Sequence, residues 1–423
     1  MTDAMNLDRR ALLAAFAALA IPQGAHAADG PDYPAIKAFI DSYVDAKKLP
    51  GVVAAIKLDE HPVRFISAGT LGFDTPAPVT PTSLFRIYSM TKPITGLAAM
   101  KLVEDGKLSL DQPISDILPD FKHMQVIVDP KTLTTRPAAG PIKLRHLLTH
   151  TAGFNYATIG HGPLAQLYAK EGIKPGGRDV EPGPGELPPA RDLETFARRL
   201  STLPLDFDPG TRWQYSVALD LTGLIIQRVS GLSFYDYLRK SFFAPLKMHD
   251  TDFVVPKAKL DRFTTEVTVK DGKVVVVDDR KSSPFARDRD IESGGGGLVS
   301  SAHDYIRFTS MLLNEGELDG VRVVKPETVR TAHSNLMEPG VTFGGKNAFG
   351  AAVALVQPGG EGFPGGGQPP GSYWWFGIAG TQMWVDPVNK FSVVLMLQEY
   401  PTTYPVLKEI RVAAYKDLAA LKA

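Results

Sequence analysis

Apolar residues recur at helical spacing over residues 32–48, where Ile36, Phe39, Ile40, Tyr43 and Val44 form one stripe. That i, i+3, i+4, i+7, i+8 pattern predicts an amphipathic helix, stopped by Pro50-Gly51. Two apolar runs follow, 52–58 and 63–68, and the polar turn Asp59-Glu60-His61 between them predicts a strand pair. The segment from Thr80 leads into Ser89, and Leu97, Ala98 and Leu102 then predict a helix that runs from Ser89 to a Gly106 stop. From about residue 107 to 250 the helical period prevails, with helices expected over 144–150, 193–203, 217–230 and 235–243. Residues 172–189 are too rich in Pro and Gly for regular structure and read as an ordered excursion over a cleft. After Asp250 the pattern turns to strands, over 273–277, 349–356, 382–385 and 391–397, with helices over 302–314 and 404–421. Asp386-Pro387-Val388-Asn389-Lys390 makes the last two strands a hairpin, and 359–371 is a second Gly/Pro-rich loop.

This order predicts an α+β fold: a sandwich in which an antiparallel sheet is flanked by helices, with an inserted helical domain. The sheet domain is discontinuous, taking 28–85 and 251–423. The mainly helical domain takes 86–250, and the active site lies in the cleft between them. A chain of 423 residues is long enough for both.

Lys+Arg and Asp+Glu are equal at 46 each, so no basic stripe points to nucleic acid. The absence of Cys excludes disulfides, thiol catalysis and Cys-ligated zinc. Arg9-Arg10, the apolar run 11–21 and Ala25-His26-Ala27 read as a signal peptide over residues 1–27, of twin-arginine type. The expectation is an exported protein, periplasmic or secreted, or a cytoplasmic one if the segment stays uncleaved. The apolar run is too short to span a bilayer, and none beyond Ala28 is long enough, so stable membrane insertion is not expected.

The candidate chemistry centres on Ser89-Met90-Thr91-Lys92, the one S-x-x-K of the chain. Three residues apart on a helix, a hydroxyl and an amine share a face, which pairs a nucleophile with a possible base. The amides of a helix start would lie beside them, where an oxyanion forms. Next comes Asp208-Pro209-Gly210-Thr211-Arg212-Trp213-Gln214-Tyr215-Ser216-Val217-Ala218-Leu219-Asp220, which places Tyr215 at a loop-to-helix junction. A phenol beside a lysine is a workable general base, although Tyr215 taken alone reads first as a packed aromatic. The third element is Trp374-Trp375-Phe376-Gly377-Ile378-Ala379-Gly380-Thr381, where Gly377 lets a substrate approach the backbone and an amide can serve as oxyanion donor.

With these come Leu144-Arg145-His146-Leu147-Leu148-Thr149-His150-Thr151-Ala152-Gly153 and Gly295-Gly296-Gly297-Leu298. Together the stretches resemble the serine β-lactamase and penicillin-binding-protein superfamily. Within it the chain is most similar to the family VIII carboxylesterases, which look like class C β-lactamases. The resemblance spans roughly residues 35–400. It implies Ser89 as nucleophile, Lys92 and Tyr215 sharing base and acid work, and the amides of Ser89 and Ile378 as oxyanion hole. It puts Trp375 where the β-lactamases carry the Lys of K-T-G, and Val217 where class C enzymes usually carry Asn. An indole cannot attract a β-lactam carboxylate and Val217 cannot bond an amide, so both departures favour neutral esters.

Other chemistries lack their motifs. There is no G-x-S-x-G and no H-E-x-x-H. His146 and His150 have the i, i+4 spacing of a metal clamp, but their segment looks structural in the resembled family, so no metal is expected. The expected function is a serine carboxylesterase acting on short-chain esters through an acyl-enzyme on Ser89. It needs no cofactor, its partner is a small-molecule ester, and the sequence sets no oligomeric state. The alternatives are a β-lactamase, a D-aminopeptidase or an acyltransferase of the same fold, and beyond enzymes a non-catalytic module that binds cell-wall peptides.

Overall fold

A computed structural model describes residues 30–174, 181–287, 291–360, 362 and 366–423. The expected signal peptide, residues 1–27, lies outside the described residues. Among those described, no helix is long and apolar enough to cross a membrane.

Helix α1 (Pro34–Asp45) starts with its proline at the first position and buries Ile36, Phe39, Ile40 and Tyr43, the stripe read from the sequence. Strands β1 (Gly51–Leu58) and β2 (Arg64–Gly69) follow as an antiparallel pair. Helix α2 (Thr91–Glu104) buries 11 of its 14 residues and has no polar face, so it is a central helix. Helix α3 (Ala218–Ser230) and helix α4 (Ala302–Leu313) come next. Strands β3 (Ala348–Phe349), β4 (Ala354–Leu355), β5 (Tyr373–Phe376), β6 (Gln382–Asp386) and β7 (Phe391–Met396) lead to helix α5 (Val406–Lys422).

The seven strands form one sheet in the order β3-β4-β5-β6-β7-β1-β2, with every neighbouring pair antiparallel. The first and last strands along the chain therefore meet inside the sheet, one strand from its β2 edge, where β7 pairs with β1 and Val53 faces Met396. All six residues of β7 are buried, which requires cover on both faces. Helix α4 packs on β7 and β1, and α1 packs on β2, β1 and α5. Asp417 of α5 accepts from the amides of Ala35 and Ile36, both at 2.9 Å, and so caps α1 across 381 residues of sequence.

Several expectations change. The run 349–356 is not one strand. It folds back between β3 and β4, where the Gly350 amide donates to the Val353 carbonyl and Ala352 takes a left-handed turn conformation. Residues Lys273–Asp278 pair with Glu266–Lys270 in a hairpin of their own, outside the main sheet. A hairpin of Gln125–Asp129 and Thr134–Pro137 interrupts the largely helical stretch. The helix expected from Ser89 begins at Thr91, after a single 3-10 turn over Tyr88–Met90.

The Lys273–Asp278 hairpin is tied to the segment before Ser89 by a buried ion pair. Arg86 is fully buried and meets Asp278 at 2.7 Å, while it also donates to the Thr264 carbonyl, Gln398 Oε1 and Ser283 Oγ and stacks over Phe263. Arg86→Met leaves that carboxylate buried without its cation, a loss of about 3–5 kcal/mol. Urea unfolding is expected to show it as a lower midpoint at an unchanged slope.

Candidate active site

Ser89 sits on the second residue of the 3-10 turn, directly ahead of α2. Tyr88 before it adopts φ +43°, which is rare for a bulky side chain and costs of order 1–3 kcal/mol. The surroundings hold it there. The Tyr88 phenol donates to Glu266 at 2.8 Å and packs on Phe285 and Tyr400. The Ile87 amide donates to the Leu298 carbonyl, and the Tyr305 hydroxyl donates to the Met90 carbonyl at 2.7 Å.

Lys92, the second residue of α2, is fully buried. Its Nζ donates to Ser89 Oγ at 3.2 Å and to the Gly295 carbonyl at 2.5 Å, and lies 4.6 Å from the centre of the Tyr215 ring. Tyr215 lies in the irregular segment just before α3, and its phenol donates to Ser89 Oγ at 2.7 Å. The Tyr215 ring rests among His150, Tyr156 and Trp375, with centroids 4.7, 5.3 and 5.7 Å away. Residues 89, 92 and 215 thus meet on one oxygen atom, although the third is 123 positions beyond the second.

Ile378 follows β5 and lines the same cavity as Ser89. Its carbonyl accepts from the Thr402 amide at 2.9 Å, and its own amide has no acceptor among the described residues. That leaves one donor for an oxyanion beside Ser89. Trp375, on β5, also lines the cavity.

Two expected wall residues do not reach it. Gly377 is buried behind the wall. A Cβ there would come within 2.5 Å of the Ile87 carbonyl and 2.3 Å of Thr381 Oγ1, so the glycine serves close packing of β5 against the Ser89 turn. Val217 is fully buried in the core beneath the start of α3. Its lack of an amide partner therefore says nothing about substrate choice.

Asp220 closed the second motif in sequence but was given no role there. It lies on the first turn of α3, fully buried, and also borders the cavity. Its Oδ1 accepts from Ser293 Oγ at 2.5 Å and from the Gly295 amide at 3.1 Å. Only glycine fits at 295, because a Cβ would lie 2.5 Å from Asp220 Oδ2. Asp220 thereby fixes the residue whose carbonyl holds Lys92. Burial pushes its carboxyl above the usual range, opposed by the Ser293 bond and by Lys92. A lone acid inside the apolar run 217–226 was the available signal.

His146 and His150 have different partners. His146 Nε2 meets Glu338 at 3.3 Å, whereas His150 Nδ1 meets Ser216 Oγ at 3.2 Å. No cluster of three or more His, Asp or Glu suited to a metal occurs among the described residues. His150 is fully buried, and burial together with nearby Lys92 pushes its pKa well below the ordinary value. Below about pH 6.5 the unfolded chain gains a proton here that the folded one refuses. Stability from this group is therefore complete above pH 6.5 and falls by about 1.4 kcal/mol per unit below it. The urea midpoint is expected to drop between pH 7.5 and pH 5, with a smaller drop in His150→Gln.

The cavity has a volume of about 430 Å³, and its largely apolar walls include eight aromatic side chains. The arrangement supplies a nucleophile with two hydrogen-bonded partners able to move its proton, an oxyanion donor and an apolar chamber.

Comparison with known proteins bears on this geometry. The sequence profile of the Beta-lactamase family matches residues 36–416. Esterase EstB of Burkholderia gladioli is 31% identical over 387 residues, covering 85% of this chain and 89% of its own. Protein Rv1367c of Mycobacterium tuberculosis is 31% identical over 376 residues, covering 86% of this chain and 90% of its own. Among solved structures, EstCE1, described as a hydrolase with promiscuous acyltransferase activity, superposes with a TM-score of 0.74 at 22% identity. That match covers 90% of this chain and 98% of EstCE1, and shows a shared fold.

Proposed function

This chain belongs to the β-lactamase family, and from that premise we propose that it is a serine hydrolase that cleaves neutral carboxylic esters. The observation that carries the reading is the convergence of Tyr215 at 2.7 Å and Lys92 at 3.2 Å on Ser89 Oγ. In this reading Ser89 Oγ attacks the ester carbonyl while its proton passes to the Lys92/Tyr215 pair. The amides of Ser89 and Ile378 hold the oxyanion. The C–O bond to the alcohol then breaks, and the same pair returns the proton to the leaving oxygen. Water attacks the acyl-enzyme, gives its proton to the pair and releases the acid and free Ser89.

Trp375 supports ester over β-lactam. An indole beside Tyr215 offers a carboxylate no cation, and the cavity's other walls are largely apolar. The test compares rates on p-nitrophenyl butyrate and nitrocefin. Fast ester cleavage with little nitrocefin turnover supports the reading, and nitrocefin turnover equal to or above it makes the protein a β-lactamase. Labelling of Ser89 by a fluorophosphonate separates either enzyme from a non-catalytic peptide-binding module, which would stay unlabelled.

Acyl transfer is the second reading. The apolar chamber favours it, because an acyl-enzyme shielded from water can wait for an alcohol. EstCE1 combines both activities by its description. Added 1-butanol in the p-nitrophenyl butyrate assay decides it. Butyl butyrate in excess of butyric acid marks a transferase, and the acid alone marks a hydrolase.

A further inference from the structure

The cavity is much larger than a short acyl group. Its volume of about 430 Å³ falls within the range, about 300–1,000 Å³, that encloses ligands of drug size. Its walls include two groups of rings. Tyr88 and Tyr400 lie together with centroids 5.3 Å apart. Trp213, Phe343 and Trp375 form the other, with Phe343 at 4.7 Å from Trp213 and 6.3 Å from Trp375. The rings within each group already pack on one another, so a substrate ring meets them from the cavity side, where a ring-on-ring contact gains more than buried area alone.

Charge on the walls is already committed. Lys174 is hydrogen-bonded to Glu186, and Asp220 is held by Ser293 and the Gly295 amide. No cation of the described lining is left to receive a substrate carboxylate. An acetyl or butyryl group would leave much of this aromatic surface in contact with water.

We propose that the preferred substrate is an uncharged ester whose acyl group carries a ring. This rests on the acyl-enzyme reading above, and replaces the short chain expected from sequence with a bulkier one. Ring size, not chain length alone, is what the walls select. A linear chain of equal carbon number buries similar area but loses more rotamer freedom and makes no ring pair.

The test holds the leaving group constant. The full chain is assayed on the p-nitrophenyl esters of butyric, nonanoic and 3-phenylpropanoic acids, and on mono-p-nitrophenyl glutarate. Each methylene buried in full would be worth about fourfold, of which only a part is realised in the transition state. The phenylpropanoate is therefore expected to exceed butyrate in kcat/KM by about tenfold or more. It is also expected to exceed nonanoate severalfold, with the charged glutarate below butyrate. A phenylpropanoate value at or below that of butyrate or nonanoate overturns the proposal, as does a glutarate value above butyrate. Phe343→Ala should shrink the phenylpropanoate-to-butyrate ratio, which is internal to the variant and independent of how much of it folds. An unchanged ratio also overturns the proposal. If no ester is cleaved in a Ser89-dependent way, it is the acyl-enzyme reading itself that fails.

Discussion

Ser89→Ala is expected to reduce kcat/KM on p-nitrophenyl butyrate to background, a loss on the order of 10⁵-fold or more. Without Oγ no acyl-enzyme forms, and the donors around the site have nothing to stabilise. The thermal midpoint should stay the same or rise, because a site that packs Lys92, Tyr215 and a backward-turned Tyr88 around one hydroxyl gives up stability for chemistry. The measurement is a steady-state rate with a melting curve on the same preparation. Substantial turnover in a folded Ser89→Ala protein would remove Ser89 from the mechanism. It would leave the surrounding geometry without a chemical purpose.

Tyr215→Phe carries the second largest expected loss, about 10²- to 10⁴-fold in kcat/KM. The ring remains, so packing against His150, Tyr156 and Trp375 is preserved. Only the hydroxyl at 2.7 Å from Ser89 Oγ is removed. Lys92 keeps its place 3.2 Å away through its bond to the Gly295 carbonyl, so some proton transfer persists. Fluorophosphonate labelling of Ser89 should slow in proportion without disappearing. If Tyr215→Phe retains activity within about tenfold of the wild type, Lys92 alone is the base and Tyr215 only lines the chamber. Ser89 and Tyr215 act as one unit, so the double variant should be no worse than Ser89→Ala.

The roles of the two substitutions differ because the two residues are fixed differently. Lys92 follows Ser89 by less than one helical turn, so local structure almost places it. Tyr215 arrives from the other side of the fold. It is held by the Gln214 amide donating to the His150 carbonyl at 2.9 Å and by the rings around it. Changes to that support, at His150 or Trp213, should act on activity through Tyr215 and not through Ser89.

What the sequence determined by itself was local. Periodicity located α1, β1, β2, α3, α4 and the β6–β7 hairpin to within a few residues, since each buries one face or two and its apolar spacing records that. The S-x-x-K spacing named Ser89 and Lys92, because helical geometry alone brings them together. The order of the motifs along the chain named Tyr215 and Ile378 by resemblance. Tertiary structure decided the rest. That β7 joins β1 inside the sheet depends on pairings between the first and last strands of the chain, and no local pattern encodes a partner. The break of 349–356 into two strands was set by a left-handed Ala352. Gly377 and Val217 looked like wall residues in sequence, but the Ile87 carbonyl and the start of α3 claimed the space around them. Asp220 became part of the site only because α3 passes close behind Gly295. The size and aromatic lining of the cavity are likewise properties of packing. Tyr88, Phe343 and Tyr400 are far apart in the chain, and they form one chamber only after the sheet and the helices have closed around Ser89.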